Sequence, residues 1–251
     1  LHHVQTNKNK NNSRLVGSIL TGINRAFPYA EAVEKSVEDD VYAKQYDALF
    51  RVSHSRRLSS AVQALSLLLR VSRSRSAMSD RFYRALYALL AADEDIVSQP
   101  NCHAMLLNLV YKAMKADLKA ARIMAFAKRL LQTALAAPAA FAAGALIVVS
   151  EALRSSTRRG LLRSMTSIAE NENNENKKPT KRDTGGVKEE EQEREQEEEE
   201  DEDGVVYKPF HREPLYARAE MSCAWELVSL SRHQHPSVAA FARTLLLAET
   251  D

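Results

Sequence analysis

Two histidines and a cysteine near the C-terminal end are the side chains that come closest to a metal-binding group. His233 and His235 are separated by one residue, and Cys223 lies upstream of them. Imidazole and thiolate are the usual zinc ligands, but this spacing matches no common zinc site and a fourth ligand is missing. His235 directly precedes Pro236, and proline is favoured at the first position of a helix, so a capping or packing role is the simpler interpretation. We therefore expect no metal ion here.

No group of residues has the pattern of a catalytic centre. Apart from Gly185-Gly186 the glycines are isolated, so no glycine-rich loop is available to cradle a phosphate group. The carboxylate run at 189–203 could bind divalent cations, but hard cations need oxygens held in a cage. A solvated acidic linker is the simpler interpretation, and a contact with basic proteins such as ribosomal proteins or histones is a further alternative. We predict that the protein is not an enzyme and uses no cofactor and no small-molecule substrate.

Regularly spaced basic residues are the strongest indication of a binding function. They lie three, four, three and then seven residues apart, at Lys112, Lys115, Lys119, Arg122 and Arg129. Residues three and four apart share one face of a helix, so two nearly continuous helices would present these cations as one stripe. We interpret the stripe as a candidate contact with RNA or an acidic partner. The alternative is an ordinary solvated surface.

The net charge of +2 conceals two oppositely charged regions. Residues 170–203 hold 16 Asp or Glu and 6 Lys or Arg, whereas residues 1–169 hold 24 basic and 12 acidic side chains. The acidic region has almost nothing apolar to bury and is expected to be disordered, while the basic region suits an acidic partner such as RNA. A basic cluster inside the acidic region predicts a nuclear import signal at Lys177, Lys178, Lys181 and Arg182.

Composition and periodicity predict helices through most of the chain. Apolar residues make up 45%, with 7 Gly and 7 Pro, and no alternating run indicates a strand. Helices are predicted at 14–24, 38–53, 57–72, 79–92, 101–116, 119–136 and 139–154, with a weaker one at 158–168. The period is clearest in 119–136, where Ile123, Phe126 and Leu130 share an apolar face. The apolar run 134–149 is interrupted by Pro138 and is too short to span a membrane.

Short connections between these helices predict antiparallel helical hairpins. The predicted fold class is all-α, with hairpins stacked as a HEAT or armadillo-like solenoid and a disordered acidic insertion. No repeat of fixed period supports this stacking, which rests on helix order. The predicted domains are a disordered stretch 1–13, a helical solenoid 14–169, a disordered acidic linker 170–204 and a C-terminal helical pair 205–251. Because the chain begins with Leu1, we interpret it as part of a longer protein.

The C-terminal pair contains the most specific residue pattern of the chain. Pro214 and Pro236 are predicted to start its two helices. The first helix carries two apolar seams, one through Tyr216, Ala219, Cys223, Leu227 and Leu230 and one through Met221, Ala224, Trp225 and Val228. Two seams indicate that this helix has neighbours on two sides.

Four blocks of sequence resemble one known family in their order. The C-terminal block is Tyr207-x-Pro209-x-x-Arg212-Glu213-Pro214-Leu215-Tyr216, then Ser222-Cys223-x-Trp225-Glu226-Leu227 and His235-Pro236-Ser237-Val238. The other blocks lie at 20–30, at 80–87, and at 107–117 with 125–132. Together they resemble the CCAAT-binding-factor domain of the nucleolar complex proteins. The resemblance covers about 14–154 and 205–248 and omits the acidic region.

This resemblance implies a non-enzymatic role in assembly of the large (60S) ribosomal subunit. Members pair with a second nucleolar complex protein and bind pre-rRNA in early pre-60S particles, which implies a location in the nucleus and nucleolus. The residues of the family signature with expected structural roles are Asn24, Arg25, Pro28, Arg212, Pro214, Tyr216, Cys223, Trp225, His235 and Pro236. Two alternatives stay open: a regulator of transcription at CCAAT promoters, and a scaffold that binds only proteins.

The chain departs from the family at one loop. Lys208 stands where an acidic residue is usual, and Phe210-His211 replaces a more basic pair. We therefore do not expect this chain to keep unchanged a charged contact that the family shares at this loop.

Overall fold

All regular elements in the described part of the chain are helices or 3-10 turns. The computed structural model describes residues 15–26, 43–72, 76–154 and 206–247. Within them no strand occurs, which confirms the predicted all-α class. The stacking of hairpins as a solenoid stays a prediction. The segment 1–13, the helix predicted at 158–168, the acidic linker and the import signal lie outside the described residues, and the domain boundaries stay predictions.

The helices follow the predicted order with shifted ends. Helix α1 covers the described residues 15–26. It is followed by α2 (Ala43–Ser53), α3 (Leu58–Ser72), α4 (Ser76–Leu90), α5 (Asp93–Ser98), α6 (His103–Ala116), α7 (Ala120–Ala136), α8 (Ala139–Leu153), α9 (Trp225–Leu230) and α10 (Pro236–Leu247). The short helix α5 was not predicted from the sequence. A 3-10 turn, Pro100–Cys102, joins α5 to α6.

Helix α7 lies at the centre of the described structure. It contacts α4, α5, α6 and α8, and also α9 and the two 3-10 turns that precede α9. Every residue from Arg122 to Leu131 is buried, including those opposite the predicted apolar face. A helix buried all round must be enclosed by other chain segments, and here the C-terminal segment supplies the missing side.

Aromatic side chains fill the core beside α7. Phe126 of α7 packs edge-on against Tyr87 of α4, with ring centroids 5.5 Å apart, and lies 6.0 Å from Tyr83. His103 and Phe141 make a similar contact between α6 and α8 at 4.9 Å. Such pairs each add about 0.5–1.5 kcal/mol beyond the burial of their area. These contacts join α7 to α4 and α6 to α8 within the core.

The first helix of the predicted C-terminal pair is shorter than expected. Two 3-10 turns, Pro214–Tyr216 and Ala219–Met221, replace its first half, and α-helix begins only at Trp225. Arg218 between the turns has φ 54°, a left-handed conformation that ends any helix there. The predicted single helix from Pro214 is therefore wrong. Pro236 does begin α10, as predicted.

Gly144 sets how closely α6 and α8 approach. A Cβ atom at this position would lie 2.6 Å from Cδ1 of Leu107 on α6. A larger side chain would have to move the end of the Leu107 side chain away from α8.

Substitution of Gly144 tests this contact. We expect Gly144→Val to lower the free energy of unfolding by about 1–3 kcal/mol, since extra methyl groups overpack the interface. Added Leu107→Ala should recover part of the loss, as measured by chemical denaturation. Gly22→Val is the matched control, because nothing lies within 4 Å of a Cβ atom at Gly22. Equal effects of the two valines would contradict a specific contact at Gly144.

Candidate functional site

Three of the predicted basic residues remain at the surface where α6 ends and α7 begins. Lys112, Lys115 and Lys119 are exposed, and we call them the lysine corner. The ammonium of Lys115 lies 5.5 Å from the ring centroid of Tyr111 and donates a hydrogen bond to its hydroxyl at 3.3 Å. Leu118, between the lysines, is 94% exposed. The corner therefore combines cations with an aromatic ring, as polyanion-binding surfaces do.

The predicted stripe is wrong at its other two members, because α6 and α7 are not continuous. Arg122 is 3% exposed, and its Nε lies 2.8 Å from Oδ2 of Asp117 in the break between the helices. Its Nη1 lies 3.1 Å from Oδ1 of Asp80, and its guanidinium stacks 4.1 Å over the ring of Tyr83. Burial raises the pKa of the Asp117 carboxyl, against the opposing effects of the Lys119 amide and of Arg122. Arg122 holds the interhelix corner together and does not face solvent.

Arg129 is also buried, at 8% exposure. Its guanidinium lies 3.7 Å over the ring of Tyr87, and it donates hydrogen bonds to the carbonyl of Tyr87 at 3.4 Å and to the carbonyl of Pro209. Burial raises the pKa of the Tyr87 hydroxyl. Arg129 thus joins α4 to the C-terminal segment through its side chain.

Its neighbour Lys128 forms a fully buried ion pair with Glu226 of α9. Both side chains have 0% exposure, and Lys128 Nζ lies 2.9 Å from Glu226 Oε2. The ammonium also donates to the carbonyl of Cys223 and lies 5.6 Å from the ring centroids of both Tyr207 and Trp225. Charge-assisted hydrogen bonds in such a site are strong, and each one has a defined geometry.

We name residues 206–230 the C-terminal clasp. Lys128 and Arg129 bind it from α7, and Arg84 of α4 binds it through its Nε, 2.7 Å from Oε2 of Glu213. Three cations of the helical core therefore bind a segment that lies 80 to 129 residues away in the chain. None of the three was singled out in this role from the sequence. The only signal was a Lys-Arg pair inside an apolar helical pattern.

Several residues of the family signature lie in the clasp or beside it. Pro214 is buried at the start of its 3-10 turn, and Cys223 supplies the carbonyl that Lys128 binds. Arg212, Tyr216 and Trp225 are exposed. His235 is exposed as well, and its carbonyl accepts the first hydrogen bond of α10 from Ala239 at 3.1 Å.

The N-terminal signature residues have separate positions. The amide of Asn24 donates to the carbonyl of Gln63 on α3 at 3.1 Å, and the carbonyl of Asn24 accepts from Arg70 at 3.3 Å. Arg25 is exposed. Pro28 lies outside the described residues. Asn24 therefore fixes α1 to α3.

The described residues contain no cluster of three His, Cys, Asp or Glu side chains that could hold a metal ion. Nδ1 of His233 accepts a hydrogen bond from the backbone N–H of His235 at 2.9 Å. No helix in this part of the structure is long and apolar enough to cross a membrane.

The buried ion pair can be tested by a double-mutant cycle. We expect Glu226→Leu and Lys128→Met, each alone, to lower the free energy of unfolding by about 3–5 kcal/mol, because each leaves the other charge buried without its partner. The double variant Lys128→Met, Glu226→Leu should be closer to the parent, since apolar groups replace both charges. Thermal and denaturant unfolding measure both. Additive losses in the cycle would contradict direct coupling of the two side chains.

Comparisons with known proteins agree with this placement of the signature. The model of the CBF/Mak21 family matches residues 61–242, which run from α3 to α10. The chain is 36% identical to mouse CCAAT/enhancer-binding protein zeta and 34% identical to the ribosome biogenesis protein NOC1 of Chaetomium thermophilum, each over 93% of the chain. It is 30% identical to nucleolar complex protein 1 of Drosophila melanogaster over 98% of the chain. It covers 24%, 22% and 24% of these relatives respectively, about a quarter of their length. The chain belongs to the CBF/Mak21 family.

Proposed function

We propose that this chain is a helical scaffold within a ribosome biogenesis factor of the large subunit. It acts in the nucleolus, without catalysis, and binds both a second nucleolar complex protein and pre-rRNA in early pre-60S particles. The names of two relatives, ribosome biogenesis protein NOC1 and nucleolar complex protein 1, support the process and the compartment. The lysine corner is the observation that supports RNA as a ligand.

The lysine corner has the chemistry of a phosphate contact. Its three ammonium groups project from the end of one helix and the start of the next, where the chain turns at Asp117. The Asp117 carboxylate pairs with Arg122 and accepts a hydrogen bond from the backbone N–H of Lys119 at 3.0 Å. This carboxylate therefore faces inward. When lysines contact RNA phosphates, they release condensed counterions, and this release favours binding. The affinity therefore falls steeply as the salt concentration rises.

A separate face supports a protein partner. Met221, Trp225 and Val228 are about half exposed on the clasp, although they form one of the two predicted apolar seams. The other seam is packed inward through Ala219, Leu227 and Leu230. Tryptophan and methionine are enriched in interfaces, and an exposed apolar surface of this kind favours association with another protein.

Transcriptional regulation at CCAAT sequences is the second candidate function, and the name of the mouse relative favours it. Base readout in DNA usually needs a recognised element such as a zinc finger or basic zipper. The described residues contain neither, so we rank this function second. Selection of a CCAAT duplex over a scrambled duplex at physiological salt would reverse the order.

Charge reversal at the lysine corner tests the RNA contact. We expect Lys112→Glu, Lys115→Glu and Lys119→Glu together to weaken binding of a labelled RNA and to reduce the slope of log K against log salt by about 2–3, since each lost phosphate contact removes about 0.7–0.9. Fluorescence anisotropy across a salt series measures both quantities.

The matched control is Arg243→Glu, because Arg243 is an exposed cation on α10, away from the corner. It should leave the slope nearly unchanged. If the triple variant bound RNA with the parent's affinity and slope at every salt concentration, the lysine corner would not be an RNA site.

A further inference from the structure

We propose that the turn at Lys208–Arg212 is a stacking site for an unpaired base of RNA, with Phe210 as the stacking ring. This inference rests on the proposed function, because it adds a second contact with the same class of ligand. It assigns a role to a turn where the chain departs from its family. It also accounts for an aromatic side chain that the fold itself does not use.

Phe210 is 97% exposed, the highest value of any large apolar side chain in the described residues. It lies in a tight turn in which the backbone N–H of His211 donates to the carbonyl of Lys208 at 3.1 Å. The N–H of Lys208 donates in turn to the carbonyl of Ala217 at 2.9 Å, which closes the base of the loop. An aromatic ring at the tip of a hydrogen-bonded turn contributes nothing to the core and is available to a ligand.

Hydrogen bonds and an ion pair hold the chain in place on both sides of Phe210. Arg129 donates to the carbonyl of Pro209, the residue before Phe210. Beyond it, Arg84 pairs with Glu213, and Nδ1 of His211 lies 3.1 Å from the backbone nitrogen of Glu213. A loop fixed in this way loses little conformational entropy when it binds, so a single ring can add useful affinity.

The charges around the turn select a polyanion. Lys208, Arg212 and Arg218 are cations, and Glu213 is the one carboxylate between 206 and 218. That carboxylate is engaged by Arg84. Unpaired bases stack on aromatic side chains while nearby Lys and Arg neutralise the phosphates. A purely apolar protein pocket would accept the ring but would not complement the exposed cation Arg212 two residues further on.

A second aromatic ring lies on the same loop. Tyr216 is 62% exposed and meets the ring of His211 at 6.1 Å in an edge-on arrangement. The loop therefore exposes a second aromatic ring besides Phe210. Bases in a duplex are already stacked on each other, so the site should prefer single-stranded RNA.

Phe210→Ala is the direct test, because a side chain so exposed can be truncated without loss of fold. The probe is a labelled single-stranded RNA of mixed sequence, compared with the duplex made from it and its complement. We expect affinity for the single strand to fall about 5-fold or more, in line with the loss of one stacked base. Duplex binding should not change, and Phe210→Trp should retain single-strand binding.

Leu118→Ala is the matched control. Leu118 is a similarly exposed apolar residue among lysines, but it has no aromatic face. Its removal should leave single-strand binding unchanged. Stacking releases no counterions, so Phe210→Ala should also leave the slope of affinity against salt unchanged, unlike charge reversal at the lysine corner.

The two proposals fail in different ways. If Phe210→Ala bound single-stranded RNA as the parent does while the lysine variant lost affinity, the stacking site would be wrong and the lysine corner would stand. If neither variant lost affinity, both would be wrong. An equal loss for single strand and duplex, or no recovery with Phe210→Trp, would also overturn the stacking site.

Discussion

The fold depends on placing two consecutive cations of α7 where no water reaches them. Moving a charged group from water into a protein interior costs several kcal/mol unless it is paired and hydrogen-bonded. Lys128 meets this requirement with the Glu226 carboxylate and the Cys223 carbonyl, and Arg129 meets it with the carbonyls of Tyr87 and Pro209. Most of these partners come from the clasp. The clasp therefore both covers this side of α7 and supplies most of the partners that its two cations need.

Buried polar partners also fix the register of the clasp. An apolar surface would tolerate a shift of the segment along α7, but a carboxylate and two carbonyls must each meet a donor at hydrogen-bond distance. Such specificity is the best-attested use of buried charge pairs. The clasp meets these donors with an irregular backbone that contains two 3-10 turns and Arg218 at positive φ. Residues 154–205 lie between α8 and the clasp in the sequence.

Hydrophobic periodicity was sufficient to locate most helices, because the apolar faces of α3, α6 and α7 are long and regular. The same reasoning failed for Arg122 and Arg129. Spacing on a helix shows which residues share a face, but it does not show whether a distant segment later covers that face. Cationic side chains are usually exposed, so Arg122 and Arg129 were predicted to face solvent. Arg218 adopts its left-handed conformation without glycine or asparagine, so nothing in the sequence indicated the break. The three lysines are exposed, because no segment among the described residues covers the end of α6.

The hydrogen bond from Arg129 to Pro209 links the interior to the surface within two residues of Phe210. A chain whose clasp has detached from α7 loses the turn that orients the ring. The apparent dissociation constant at that turn then equals the intrinsic one divided by the docked fraction of molecules. Changes deep in the core, far from any ligand, would therefore appear as weaker binding well before the helices unfold. Occupancy of the turn by a ligand would conversely hold the clasp closed, so assembly itself would protect the fold.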